Sequence, residues 1–193
     1  LGNIMSEFEW DSLALFFYNK AIMYDSLNID YWNNKAYSLK QLGSYNQAIG
    51  TYKKSIKIDS TNAGTYYGLA MLFYSMDRKQ NAVQEFEKSA RHNPFNHMTY
   101  YNLGYIYAEL NDFVNAEKNY LLSLEKNPNY ADTYYELARL KAMQGKFSEA
   151  LKYLDTSLSM KLIDKNYVEQ DSAFVSLVKE EGFKSLLKKH YGQ

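Results

Sequence analysis

Histidines occur at positions 92, 97 and 190 of this 193-residue chain and nowhere else. His92 and His97 flank Pro94 across a predicted loop, so they do not share a helical face as the two imidazoles of a helical zinc pair must. They read as surface loop residues. Cysteine is absent, which removes thiolate metal sites and disulfides alike. Glu85 and Glu87, and Glu180 and Glu181, are neighbouring carboxylates, but each pair lies in a polar run. A general acid needs a desolvated setting to shift its pKa, and neither run supplies one. No glycine-rich phosphate loop and no G-x-S-x-G elbow occurs, and no Ser or Thr has a histidine partner in a recognisable motif. The expectation is no catalytic, cofactor-binding or metal-binding residues, and not an enzyme in its own right. Tyrosine is what the chain has in excess, 20 residues against 10 Phe and 2 Trp. Tyrosine offers large, rigid contact area with few rotors and a hydroxyl that reaches a peptide amide, which is the chemistry of recognition.

Composition narrows the classes further. The 22 basic and 22 acidic side chains cancel, so the concentrated basic surface of a nucleic-acid binder is not expected. No apolar run approaches the ~18 residues of a membrane span. No signal-peptide pattern is present. Because the chain begins with Leu1 rather than Met, a trimmed or mature fragment is expected, with any targeting segment removed; either upstream residues complete the first helix in the native protein or the domain tolerates a frayed edge. Compartment stays open between cytoplasmic and periplasmic or secreted.

The elements that position the tyrosines follow from a period. The triplet Thr-Tyr-Tyr stands at 65–67, 99–101 and 133–135, an interval of 34 residues each time. Alanines keep the same interval at 14, 48, 82, 116 and 150. Four residues after each comes a large side chain (Tyr18, Tyr52, Phe86, Tyr120, Leu154), and seven after each a small one (Ala21, Ser55, Ser89, Ser123, Ser157). Within block 97–130, Tyr100, Leu103, Tyr107 and Leu110 recur at helical spacing; Asn111-Asp112 interrupts, and Phe113, Ala116, Tyr120, Leu121 and Leu124 resume it. Gly43 and Gly145 share the phase of Asn111, where a left-handed backbone is commonly needed. Pro94 and Pro128 close their blocks, since proline cannot continue a helix. Each block is predicted to be a helix hairpin. One hairpin leaves an apolar stripe exposed, so hairpins must stack.

This pattern resembles the tetratricopeptide repeat (TPR) family, whose motif is W-x2-L-G-x2-Y, A-x3-F and P within 34 residues. Block 97–130 carries it as Tyr100, Leu103, Gly104, Tyr107, Ala116, Tyr120 and Pro128. Block 63–96 carries it as Tyr66, Leu69, Ala70, Phe73, Ala82, Phe86 and Pro94. Block 29–62 departs at Lys35 and Leu39 and has Ser60 for proline; block 131–164 has Lys141 in the aromatic place and Leu162 for proline. The first copy is cut short, with Leu1-Gly2 in phase with the family's L-G pair and Leu1, Ile4, Met5 and Phe8 on a shortened first helix. The resemblance implies an all-α fold over residues 1–162, a right-handed superhelical solenoid of about five hairpins. Residues 163–193 lose the period and are expected to form a C-terminal cap. It would consist of two helices, near 171–179 and 182–190, with Phe174, Leu177, Val178, Phe183, Leu186 and Leu187 inward, and it resembles the closing segment of bacterial TPR proteins.

In the family the leading helix of each hairpin lines a concave face through the second, fifth, sixth, ninth, twelfth and thirteenth block positions. The resemblance therefore assigns Asn33, Asn34, Tyr37, Tyr67, Met71, Tyr74, Tyr101, Asn102, Tyr105, Tyr135 and Arg139 to a peptide-binding groove. The preceding tyrosines, 66, 100 and 134, take the family's Trp place and are expected in the core, with Tyr18, Tyr45, Tyr52, Tyr107 and Tyr120. The chaperone carboxylate clamp of some TPR proteins is not carried over. Where it needs Lys and Arg, this chain has Asp132 and Glu136, or Met98 and Asn102 in the preceding triplet. A neutral or mildly basic segment fits better. The expected function is a protein-binding scaffold or adaptor. The alternatives are self-association as a homodimer through the cut first repeat, or a regulatory arm of a larger protein.

Overall fold

The computed structural model describes residues 2–160 and 163–192, with the side chains of residues 2–9 outside the described set. The described residues form eleven α-helices: α1 (Gly2–Tyr24), α2 (Ile29–Gln41), α3 (Tyr45–Ile58), α4 (Ala63–Ser75), α5 (Lys79–His92), α6 (His97–Glu109), α7 (Phe113–Lys126), α8 (Ala131–Met143), α9 (Phe147–Met160), α10 (Lys165–Gln170) and α11 (Glu181–Tyr191). The chain divides into two units, Leu1–Phe95 with α1–α5 and Asn96–Gln193 with α6–α11. In the first unit each helix packs on the next, and the leading helices α2 and α4 also touch. In the second, α6, α7, α8 and α9 pack in the same succession, α6 touches α8, and α11 lies on α9.

One left-handed residue makes each hairpin. Gly43 (φ 70°), Asp77 (55°), Asn111 (60°) and Gly145 (72°) stand 34 residues apart, between the two helices of successive repeats. Beyond each, a backbone N–H returns to the carbonyl five residues back: Ser44 to Leu39 (2.8 Å), Arg78 to Phe73 (2.9 Å), Asp112 to Tyr107 (2.9 Å) and Lys146 to Lys141 (2.9 Å). This closes the carbonyls that a helix end leaves unpaired. Gly, Asn and Asp tolerate that conformation, whereas most residues pay ~1–2 kcal/mol. The fifth residue in this phase is Glu9, and there the chain does not turn: Gly2–Tyr24 is one helix rather than a shortened hairpin. Leu1, Leu162 and the side chains of Ile4, Met5 and Phe8 lie outside the described residues.

The links between hairpins are periodic too. Asp25, Asp59, Asn93 and Asn127 each accept a hydrogen bond from the backbone N–H two residues on, at 2.8–3.2 Å. Asn28, Asn62 and Asn96 then cap α2, α4 and α6 by accepting from backbone N–H groups. Tyr130 takes this place before α8 and makes no such cap.

The seams are as the alanine period requires. Ala48, Ala82, Ala116 and Ala150 have no exposed surface, and Phe86 and Tyr120 are wholly buried. A Cβ on Gly104 would stand 2.6 Å from the Tyr120 ring, so α6 and α7 approach as closely as they do only because this residue is glycine. The small residues seven places on do more than save space. Ser89 Oγ donates to the Ala63 carbonyl and Ser157 Oγ to that of Ala131, both at 3.0 Å. The Ser55 and Thr65 hydroxyls are 3.1 Å apart and those of Ser123 and Thr133 3.2 Å. Thr65 and Thr133 of their triplets are thus buried, hydrogen-bonded knobs, and Thr99 in the same phase is buried as well.

The C-terminal segment differs from expectation. Only Ser172–Phe174 is helical in the stretch 171–179, as a 3-10 turn, while α10 forms earlier, capped by the Asp164 side chain. Phe174 and Leu177, three residues apart as a 3-10 geometry favours, are both fully buried, whereas Val178 faces outward. Phe183, Leu186 and Leu187 of α11 complete the core with Leu154 and Leu158 of α9. Lys189 and His190 hold α11 to Asp155, at 2.7 and 2.6 Å.

Lys141, in the aromatic place, is also buried, with its side chain 3% exposed. Its ammonium lies 2.7 Å from Glu117 of α7 and 3.0 Å from Glu149 of α9. Burial alone would lower its pKa, but hydrogen bonds to the two carboxylates outweigh it and hold the pKa above the ordinary lysine value. Replacing both Glu117 and Glu149 by Gln strands a buried charge and is expected to cost about 3 kcal/mol in urea unfolding, while Lys141→Met with the carboxylates intact stays near neutral. Equal losses in the two variants would contradict this account.

Candidate functional site

The residues assigned to the groove divide by unit. In the first, Asn34 and Tyr37 of α2 are exposed, and Lys40 lies 6.0 Å over the Tyr37 ring. Asn33 is half-buried and accepts a hydrogen bond from the Thr65 hydroxyl at 3.0 Å, joining α2 to α4. Tyr67, Met71 and Tyr74 of α4 are half-buried, and Tyr67 meets Phe86 edge-on at 5.3 Å. Its neighbour Tyr66 is buried in the core, stacked on His92 at 5.3 Å, with its hydroxyl donating to the Ser60 carbonyl. Tyr100 and Tyr134, in the same phase as Tyr66, are only half-buried, as are Tyr18, Tyr45 and Tyr107; Tyr52 is buried.

In the second unit, Tyr101 and Tyr105 of α6 are half-buried and open on clefts. Tyr101 packs edge-on against Tyr130 at 5.3 Å and on Tyr120 at 6.1 Å. Asn102 donates to the Met98 carbonyl of its own helix at 2.8 Å, a bond that occupies its amide. Tyr135 differs most from expectation. It is 5% exposed, because the C-terminal segment lies on it. Phe174 meets its ring at 5.6 Å, Tyr167 at 6.0 Å, and its hydroxyl donates to Asp171 at 2.9 Å. Arg139 is committed as well, donating to Glu136 at 2.8 Å and lying 2.9 Å from Asp171 through Nε. The C-terminal segment therefore covers Tyr135 and Arg139 of α8, besides packing α11 on α9.

What remains open is a row of clefts. One of about 330 Å³ is lined by Tyr101, Asp132, Tyr135, Glu136, Ile163 and Tyr167. A second, of about 260 Å³, has Tyr105, Glu109, Glu136, Arg139 and Met143 among its walls. A third runs along Arg139, Tyr167, Gln170 and Asp171. Burial first, then neighbouring acidic charge, raises the phenol pKa of Tyr101 and Tyr135, so both stay neutral hydrogen-bond donors in ordinary buffers. Burial also raises that of Glu136, against the pull of Arg139. None of the three histidines lines these clefts: His92 is exposed, His97 lies against Tyr130 and Asn127, and His190 faces Asp155. Among the described residues no group of His, Cys, Asp and Glu could hold a metal ion, and no helix is long and apolar enough to cross a membrane.

Tyr130, Ile163, Tyr167 and Asp171 are site residues that periodicity alone misses. Tyr130 had a signal, since it interrupts the run of asparagines at 28, 62 and 96. The other three lie beyond the repeat, where no phase marks them.

Three family models match the sequence: one described as TPR repeat over residues 36–77, and two described as tetratricopeptide repeat over residues 67–131 and 119–152. No curated protein sequence matches the chain. Among solved structures, a crystal structure of MamA is similar at 25% identity and a TM-score of 0.69, over 76% of this chain and 85% of that one. YrrB, described as a TPR protein with an unusual peptide-binding site, is similar at 21% identity and 0.71, over 90% of each chain. MamA from Desulfovibrio magneticus RS-1 aligns at 15% identity and 0.69, over 84% of this chain and 88% of that one.

The burial of Tyr135 has a measurable consequence. Tyr135→Ala is expected to destabilise the chain by about 3–5 kcal/mol in chemical unfolding, and Tyr37→Ala by no more than about 0.5 kcal/mol. Comparable small losses would mean the C-terminal segment is not seated on α8.

Proposed function

Because the chain belongs to the tetratricopeptide repeat family, we propose that it is a non-catalytic protein–protein interaction module, a scaffold or adaptor that holds a partner segment against the inner faces of its leading helices. The observation that carries this reading is the aromatic wall of the second unit, where Tyr101, Tyr105 and Tyr167 border open clefts. Rings presented this way give contact area at little entropic cost, and their hydroxyls suit peptide amides. Tyr37 offers the same chemistry in the first unit, where it is 53% exposed. The peptide-binding site named for YrrB, on a similar fold, is a precedent for this use. Asp132 and Glu136 stand where a chaperone clamp needs cations, so a C-terminal carboxylate is not the proposed ligand. In the second unit Tyr135 and Asn102 back this face through the contacts described above; in the first unit Asn33, Asn34, Tyr67, Met71 and Tyr74 take the corresponding places on α2 and α4.

A photo-crosslinking side chain at Tyr105 or Tyr37 is expected to form a partner adduct in cells, while the same side chain at Val114, on the outer helix α7, is not. Adducts from Val114 with none from the two inner positions would sink the reading.

A second reading, self-association, is favoured by α1. Trp10 (70% exposed), Leu13, Phe16, Phe17 (58%) and Tyr24 lie exposed along one side of this helix, and contiguous exposed apolar residues favour an interaction surface. A second copy would cover it. Light scattering should then show mass rising with concentration, and Leu13→Glu with Phe17→Glu should hold it at one chain. A wild-type mass that stays constant would dismiss self-association.

A further inference from the structure

We propose that the hairpin of α2 and α3 carries a second binding site, at Trp32, Lys35 and Lys54, for a carboxylate of an acidic partner segment. It adds to the interaction-module reading and does not rest on the tyrosine-bearing face, since Lys35 stands about 200° round α2 from Tyr37.

Two ammonium groups share the Trp32 ring. Lys35 of the same helix lies 5.6 Å from the ring centroid, and Lys54 of α3 lies 5.1 Å from it. The ring is held in place, because its indole N–H donates to the Ser26 carbonyl at 2.8 Å. An aromatic ring attracts each cation, but two cations gathered on one ring repel each other. Among the described residues neither lysine forms an ion pair. Lys53 and Lys57, exposed on α3, form none either. Burial first, then the charge of Lys54, holds the pKa of the half-buried Lys35 below the ordinary lysine value.

The next repeat shows what answers such a cluster. One period on, Tyr66 and Lys88 take the places of Trp32 and Lys54, with the ammonium 5.8 Å from the ring. There Glu85 pairs with Lys88 at 2.7 Å. In the phase of Glu85 the first hairpin has Thr51, whose hydroxyl donates to the Gln47 carbonyl at 2.8 Å. Lys35 in turn stands where the later repeats bury Leu69, Leu103 and Leu137. At the same place, then, the first hairpin has one cation more than its successor and lacks the carboxylate. A carboxylate from a partner, set between Lys35 and Lys54, supplies what Glu85 supplies one repeat later. Partial burial of Lys35 strengthens that pairing over one in open water. Lys53 and Lys57 beside it favour a partner with several carboxylates in a row.

The test uses the whole chain with Trp10→Phe, which leaves Trp32 as its one tryptophan. Its emission is followed while an acetylated, amidated tetra-glutamate peptide is added. The emission should change on binding, with an affinity at least about tenfold above that for the tetra-glutamine peptide. The difference should shrink as salt rises. Lys35→Leu, which installs the residue of the later repeats, should abolish the preference with the melting temperature unchanged or raised. Lys54→Gln should abolish it too, whereas Lys118→Gln, an equal loss of charge at an exposed place on α7, should leave it intact. Equal binding of the two peptides would overturn the proposal. So would a preference lost as much in Lys118→Gln as in Lys54→Gln, since the attraction would then be to net charge alone. Tighter binding of a phosphoserine peptide of equal charge would overturn the carboxylate assignment. None of these outcomes bears on the crosslinks at Tyr105 and Tyr37, which test the tyrosine-bearing face separately.

Discussion

One left-handed residue in every 34 decides how this chain folds. Within each hairpin the reversal runs through one residue of positive φ, and the chain provides Gly, Asp, Asn and Gly at four such places. Each reversal fixes which side of the leading helix meets its own partner and which meets the next hairpin. The alanines, the buried serines and the triplet threonines then fill a seam whose geometry is already set. Where the fifth position in that phase carries Glu9, the helix runs on, and the apolar side that a hairpin partner would cover stands open along α1.

The seam also determines what remains for function. With Phe86, Tyr120 and Leu154 buried between helices, residues one step around the leading helix, such as Tyr67, Tyr101 and Tyr105, are left half-buried. In the second unit these are not equivalent. Tyr101 and Tyr105 border clefts, while Tyr135 is taken up by the chain's own C-terminal segment through Phe174, Tyr167 and Asp171. Asp171 and Glu136 both pair with Arg139 there.

The hairpins were legible because helix spacing and a 34-residue recurrence are carried by residue type alone. The turn at Asn111 and the seam alanines follow from phase, whereas the division of the Thr-Tyr-Tyr triplet does not hold throughout: Tyr66 is buried and Tyr67 half-buried, but Tyr134 is half-buried and Tyr135 buried. Three further features did not follow from phase. The role of the triplet threonine was hidden because a small polar residue in a helix carries no mark of its distant hydroxyl partner. Lys141 read as a departure from the motif, and its two carboxylates come from helices on either side. The closure over Tyr135 depends on residues past the last repeat, where periodicity has nothing to say. The stretch 171–179 was misread as a full helix because Phe174 and Leu177, three apart, satisfy a helical and a 3-10 spacing equally.

The central claim is that the inner, tyrosine-bearing faces of the leading helices are where a partner segment lies. Mapping amide and side-chain chemical shifts of the second unit's residues in the whole chain, with a bound partner peptide, tests it most directly. The account predicts changes confined to α6, α8 and Tyr167, centred on Tyr101, Tyr105 and Glu136. Changes confined to the outer helices α7 and α9, with those three residues undisturbed, would contradict it.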